Sequence, residues 1–463
     1  MENQRLFLEE YRSGIYATYA KKRPKSESLH KEARRFLPGG ETRSALFYKP
    51  FPAFMMRGEG CRLYDMDGNE YVDFLNNYTA LIHGHAHPKV EIAAIKQFKR
   101  GAIYAAPVEN QFTLGQTICD RLPSAEKVVF CNSGTDATLS AIRLARAFRR
   151  KYKIVKMEGG YHGSHDVAQI SVKPPLDRAG PIANPHSIPE NIGIPASVAS
   201  DCIIAPFNNG EATERIISQN REDLAAVIVE PVQGAAGVIP SDPDFLRTIR
   251  QVTSEYNIPL IFDEVISFRL ARGGCQEMYG ITPDITALGK IIGGGFPIGA
   301  VAGREELMDL FSPYSPGFLS HSGTFYGHPV TMAAGVAAME QWTTSEITRL
   351  NKLGEKLMKN IKNALEEVGI DAQVTGVGSL AQIHFTKEEI RDWRTAATAR
   401  FDIRTLFHLL LMDKGIFLPT RLMFSLSTPM DEKEIGQTTT GVKDCLEELK
   451  PCIERVAPEL IIG

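Results

Sequence analysis

The sequence predicts an α/β protein: a large domain with a mainly parallel, seven-stranded sheet covered by helices, and a smaller α+β domain after it. Three observations predict it. From about residue 90, short apolar runs alternate with helical stretches, the pattern of strand–helix–strand units. Those runs are apolar throughout rather than at every second residue, as strands buried on both faces require. After residue 330 the pattern changes to long amphipathic helices leading into separate strands. With 463 residues, 43% of them hydrophobic, the chain has ample core and exceeds one compact unit.

The elements follow in order. The first forty residues read as a charged helix and a linker closing at Pro38-Gly39-Gly40. Residues 53–75 alternate like strands around the turn signal Asp65-Met-Asp67-Gly-Asn69. Seven strand candidates then supply the large sheet: Lys127–Cys131, Lys153–Met157, Asp201–Ala205, Leu224–Val229, Pro259–Phe262, Ile285–Leu288 and Ile298–Ala302. Helices such as Asp244–Tyr256 fill most of the gaps. Residues 170–200 are proline-rich and aperiodic, and a loop of that length is usually functional or mobile, which makes it a candidate lid. Helices at Ala333–Glu340 and Leu350–Val368 precede strands near Gly378–His384 and Leu422–Leu426. The expected division is 1–75, an N-terminal segment joining the small domain; 76–328, the large domain; and 329–463, the small domain.

Several classes drop out. A net charge of -3 gives no nucleic-acid footprint. Seven scattered cysteines without a CxxC pair suit reduced thiols in a cytosol. The N-terminus is charged throughout, and no uncharged apolar run approaches the roughly 20 residues of a membrane span. The expectation is a soluble cytoplasmic protein. Gly376-Val-Gly378 lacks the third glycine of a dinucleotide fingerprint. His83, His85 and His87 alternate as if on one strand face, but no cysteine or carboxylate stands in ligand spacing, and no metal site is expected.

In an open parallel sheet, ligands sit beyond the carboxyl ends of the strands. Asp263 ends one apolar run and Lys290 follows another. An acid and a lysine so placed are what a pyridoxal phosphate (PLP) enzyme needs. The lysine can hold the aldehyde covalently, and the acid can keep the pyridine nitrogen protonated. Val265 shares a face with Asp263 and can back a flat ring, while Glu264 points away. Ser133-Gly134-Thr135 opens a helix whose free N–H groups and hydroxyls suit a phosphate, or form an ordinary N-cap. Tyr161, among glycines 159, 160 and 163, can stack on a ring or simply cover apolar surface. Thr324 can donate to a phosphate or serve its turn.

Together, Ser133-Gly-Thr135, Gly160-Tyr-His-Gly163, Glu230-Pro-Val-Gln233, Phe262-Asp-Glu-Val265, Leu288-Gly-Lys290 and Gly323-Thr324 resemble the class III aminotransferases over residues 36–448. These are PLP-dependent transferases of fold type I. The resemblance implies Lys290 as the Schiff-base lysine and proton shuttle, Asp263 as the pyridinium partner, Val265 behind the ring and Tyr161 stacked on it. It implies Ser133, Gly134 and Thr135 as the phosphate cup, with Glu230 also at the cofactor. Thr324 would reach the neighbouring subunit's phosphate in a homodimer with sites at the interface. Asp136 departs from the glutamate usual after Ser-Gly-Thr.

Within the family, Thr42–Pro52 and Pro419-Thr-Arg421 are similar to the β-phenylalanine type, beside the glutamate-1-semialdehyde aminomutases. That similarity implies Arg43 for the carboxylate of a β-amino acid and Arg421 for that of a keto acid. Tyr78 is the pocket candidate, with Tyr48 and Phe54. The implied reaction is ping-pong transfer from a β-amino acid, aromatic or aliphatic, to a keto acid such as 2-oxoglutarate or pyruvate, with an ω-amine as a further candidate donor. The alternatives are a 2,1-aminomutase and a non-catalytic PLP-binding protein.

Overall fold

A computed structural model describes residues 2–462. In chain order the strands are β1 (Met55–Glu59), β2 (Arg62–Asp65), β3 (Glu70–Asp73), β4 (Lys127–Cys131), β5 (Lys153–Met157), β6 (Cys202–Ala205), β7 (Leu224–Val229) and β8 (Val232–Gln233). There follow β9 (Ile239–Pro240), β10 (Leu260–Asp263), β11 (Ile285–Gly289), β12 (Gly299–Gly303), β13 (Gln373–Val377), β14 (Leu380–His384), β15 (Ile416–Phe417) and β16 (Met423–Ser425).

The central sheet has seven strands in the order β4-β12-β11-β10-β7-β5-β6. All seven sequence candidates lie in it. Pairing is parallel from β11 through β6, and β12 runs antiparallel to both β11 and β4. Every residue of β7, β10, β11 and β12 is buried, which is why these runs carry no polar alternation. β4 and β5, consecutive in sequence, stand with four strands between them, so the chain crosses most of the sheet's width from one to the other.

The N-terminal stretch holds two helices, Glu2–Lys21 and Pro24–Ala33. The expected single helix breaks because Pro24 cannot donate an N–H and restricts Arg23 before it. β1, β2 and β3 form an antiparallel sheet to which β15 adds in parallel beside β3. A three-stranded sheet, β13-β14-β16, lies among the C-terminal elements. The helices placed at Ala333–Glu340 and Leu350–Val368 start earlier, at Pro329 and Thr344. Pro329 has the fixed φ of a first helical residue, and the Thr343 side chain caps the second helix by accepting from the Glu346 N–H.

Residues 170–195 carry no helix or long strand and are tied down by a bridge between Ile170 and Pro189. The three histidines do not share a strand face. Gly84 and Ala86 have φ of 71° and 50°, which turns the chain at each step. His83 bonds the Ala338 carbonyl, His85 bonds Asp73, and His87 precedes the helix Pro88–Phe98. Among the described residues no group of three His, Cys, Asp or Glu side chains is placed to hold a metal, and no helix is long and apolar enough to cross a membrane.

Candidate active site

A cavity of about 450 Å³ opens where β4, β10 and β11 end. Lys290, Asp263, Val265 and Glu230 line it, as do Ser133, Gly134 and Thr135 at a helix start. Tyr161, Arg43 and Tyr78 complete its wall. Most of these residues meet here because each follows the end of a strand, whereas Arg43 comes from the N-terminal segment ahead of β1.

Asp263 closes β10 and is 5% exposed. Its Oδ1 accepts the Val265 N–H at 3.1 Å, and its Oδ2 lies 2.8 Å from Nδ1 of His162. His162 is itself buried, and burial lowers its pKa, so the ring is held neutral with Nδ1–H donating to the carboxylate. Glu264 points away and accepts from the N–H groups of Cys275 and Gln276. Val265, just past the strand, keeps Asp263's side of the chain.

Lys290 follows β11 with φ of 52°. Burial lowers its ammonium to about 8. The charges of Asp263 and Glu230 oppose that fall, and those of Arg421 and Arg43 add to it. An amine so tuned is a ready nucleophile near neutral pH. Glu230, after β7, accepts from the N–H groups of Tyr161 at 2.7 Å and Gly234 at 3.1 Å. Burial, reinforced by Asp263, raises its carboxyl to about 8.

The helix Gly134–Arg149 begins at Ser133, whose Oγ accepts the Asp136 N–H at 3.1 Å. The hydroxyl therefore serves as an N-cap, one of the two readings its sequence allows. The next bond, from the Ala137 N–H, goes to the Ser133 carbonyl. Gly134 and Thr135 leave their own N–H groups at the open, positive end of the helix. Gly134 is needed bare: a Cβ there would come within 2.9 Å of Val265 Cγ1. Asp136, though a methylene shorter than glutamate, still reaches back to the Asn132 N–H at 3.3 Å.

Arg43 and Arg421 each place Cζ 5.2 Å from the ring centroid of Tyr78. Arg43 donates to Asn77 Oδ1 and Arg421 to Met423 Sδ, so neither is spent on a carboxylate in these bonds. Arg421 Nε is buried with no partner among the described residues. Arg421 is not among the residues lining the cavity, but it lies close enough for its charge to act on Lys290 and Tyr161. Asn76, Asn77, Tyr78 and Thr79 all have positive φ (48°, 47°, 55° and 75°), which bends the chain so that Tyr78 turns into the site and its hydroxyl bonds the Ala45 carbonyl.

Two pocket candidates lie elsewhere. Tyr48 lines a different cavity beside His408, because its hydroxyl bonds Tyr19 and the Ala53 N–H. Phe54 is absent from the site lining. Thr324 is exposed and outside its own chain's cavity. His162 and Asn77 carried no role in the sequence reading. The first stands in a quoted motif, but its bond crosses 101 positions, and nothing local announces it.

These residues fit PLP. Two free N–H groups at a helix start suit the phosphate, a fixed carboxylate suits the ring nitrogen, and a desolvated amine suits the aldehyde. The family model for aminotransferase class-III matches residues 44–419. The glutamate-1-semialdehyde 2,1-aminomutase of Methanosphaera stadtmanae is 38% identical over 428 residues, covering 92% of this chain and 99% of that protein. An omega-transaminase from Sphaerobacter thermophilus superposes with a TM-score of 0.88 at 42% identity, covering 92% of this chain and 98% of that one. A β-phenylalanine aminotransferase from Variovorax paradoxus gives 0.87 at 33%, covering 96% and 98%. The chain belongs to the class III aminotransferases, and it is a PLP-dependent enzyme of fold type I.

Proposed function

We propose that this enzyme transfers an amino group between carboxylate-bearing substrates, from a β-amino acid to a keto acid such as 2-oxoglutarate or pyruvate. The observation that carries the reading is the pair of guanidinium groups on one tyrosine. Transamination must seat two acids in turn in one pocket, with carboxylates at different distances from the reacting nitrogen. A planar guanidinium takes a carboxylate through two parallel hydrogen bonds. Arg43 and Arg421, both beside Tyr78 and both without an acid partner in their hydrogen bonds, offer two such seats. The two transaminase structures are in accord.

PLP, when bound, supplies an aldehyde for amines and a protonated ring that draws electrons from the reacting carbon. The chain supplies the rest. Lys290 Nζ would take the proton from the amine-bearing carbon of the substrate and deliver it to the aldehyde carbon of the bound cofactor, with the reverse transfer in the second half-reaction. Asp263, fixed by His162, opposes the charge of the ring nitrogen. The Gly134 and Thr135 N–H groups bind the phosphate, Val265 and Tyr161 face the ring, and Glu230 fixes the Tyr161 backbone. Thr324, exposed and away from its own cavity, serves the neighbouring subunit of a homodimer.

A second reading is a 2,1-aminomutase. Eight curated relatives at 37–39% identity bear that name, and on that comparison this reading is the better supported. One experiment decides. Purified enzyme is given β-phenylalanine, or separately glutamate-1-semialdehyde, with and without 2-oxoglutarate or pyruvate. Sustained deamination of the β-amino acid only with added keto acid supports transfer. Complete isomerisation of the semialdehyde without acceptor sinks it in favour of the mutase. In either case Lys290→Ala is expected to abolish turnover.

A further inference from the structure

The turn Glu158-Gly159-Gly160-Tyr161, which presents the aromatic ring to the site, is held residue by residue from different elements. The Gly159 N–H donates to the Ser171 carbonyl at 3.0 Å. The Gly160 carbonyl accepts from Lys156 Nζ at 2.8 Å, and the same ammonium reaches the Ile170 carbonyl at 2.5 Å. The Tyr161 N–H is bound by Glu230. Glu158, 3% exposed, has its carboxylate gripped through both oxygens by Arg394, at 2.7 and 3.0 Å.

Arg394 lies in the short helix Trp393–Ala396, far along the chain. Its guanidinium is not satisfied by Glu158 alone. Nη1 donates to the Gly180 carbonyl at 2.8 Å and Nη2 to the Ala179 carbonyl at 3.0 Å. Its neighbour Trp393 donates Nε1–H to the Pro174 carbonyl at 3.2 Å. Gly159 (φ 82°) lets the turn press against Trp393: a Cβ at 159 would stand 2.6 Å from the Trp393 Cβ. One planar fork thus joins the turn under the ring, the proline-rich segment at 174–180 and a C-terminal helix. Lysine could not replace it, since a single ammonium lacks the paired donors that meet a carboxylate and two carbonyls at once.

We propose that Arg394 is a positioning residue: through Glu158 it sets the placement of Tyr161 over the cofactor, braced against the 174–180 segment. This rests on the reading of Tyr161 as a ring-facing residue of a PLP site. Arg394 is not among the residues lining the cavity, and it meets the turn through Glu158.

The test compares full-length holoenzyme with Arg394→Lys, Arg394→Gln, Glu158→Gln and the double variant Glu158→Gln/Arg394→Gln. Expected are a fall in kcat of about 10–100-fold, the scale of a misplacement near 1 Å, and a weakened visible circular dichroism band of the bound cofactor. Lysine is expected not to rescue, and the double variant to be no worse than the worse single, as for residues acting as a unit. Glu158→Gln preserves shape and is the measurement relied on where the arginine variants do not fold. A simple structural staple gives a different result: lower melting temperature, with the dichroism band and kcat of the folded enzyme unchanged. That result overturns the proposal, as does full rescue by lysine. Lys290→Ala is run alongside. If it retains turnover, the PLP-site reading itself falls; if it is dead while the clamp variants keep normal dichroism and kcat, only the clamp falls.

Discussion

At the scale of single residues, the site turns on one amine and its surroundings. Lys290 is lowered to about 8, below the ordinary lysine value, because burial disfavours the ammonium. The neutral amine therefore gains population as pH rises through that value. Capture of added PLP by the apoenzyme, followed by visible absorbance, is expected to quicken from pH 7 to pH 9. Asp263 raises the lysine, so Asp263→Asn is expected to move that midpoint downward. A flat profile, or an upward move, would contradict this electrostatic account. Both residues were legible in the sequence because each sits at the end of an apolar run. His162 was not: its bond to Asp263 joins the ends of strands that are not adjacent in the sheet, β5 and β10, which only the strand order brings together.

At the scale of elements, the start of the helix Gly134–Arg149 depends on β12 lying close against the turn before it. A Cβ at Gly299 would stand 2.0 Å from the Ser133 carbonyl oxygen, a backbone atom that cannot swing aside. Gly299→Ala is expected to cost about 1–3 kcal/mol by overpacking and to weaken PLP retention; urea unfolding and cofactor titration measure the two effects. Ser133→Ala, which removes the cap, is expected to cost about 1 kcal/mol of stability. The seven strands were readable as apolar runs, but the antiparallel direction of β12 was not, since Gly-Ala-Val-Ala-Gly is equally buried either way round. The helix Phe401–Asp413 also escaped. It buries residues almost all round, from Ile403 to Met412, and so carries no amphipathic period. β15, two residues long, is too short to signal anything.

At the scale of the whole molecule, distant parts of the chain are stapled by buried arginines. Arg23, 1% exposed, donates to Tyr71 Oη, Asp413 Oδ1 and the Met412 carbonyl, tying the N-terminal segment to the helix Phe401–Asp413. Arg23→Ala would strand Asp65 and Asp413 without this cation and is expected to destabilise by about 3–5 kcal/mol in urea. Arg5→Ala, which breaks an exposed pair with Glu9, is expected to fall within about 0.5 kcal/mol. Arg269, also buried, joins Ser379, Ser425 and the Leu426 carbonyl, linking the turn after β10 to the C-terminal sheet. Composition announced none of these staples, because a sequence with 52 lysines and arginines does not say which of them are buried.

The left-handed run from Asn76 to Thr79 has an evolutionary corollary. Non-glycine residues held there each cost on the order of 1–3 kcal/mol, and Thr79 also buries a hydroxyl with no partner among the described residues. A library randomised at 77–79 and screened for heat tolerance alone is expected to enrich glycine and asparagine. The survivors would melt later, and, on the proposed function, sort poorly among competing acids, because the ring between the arginines would have lost its fixed perch.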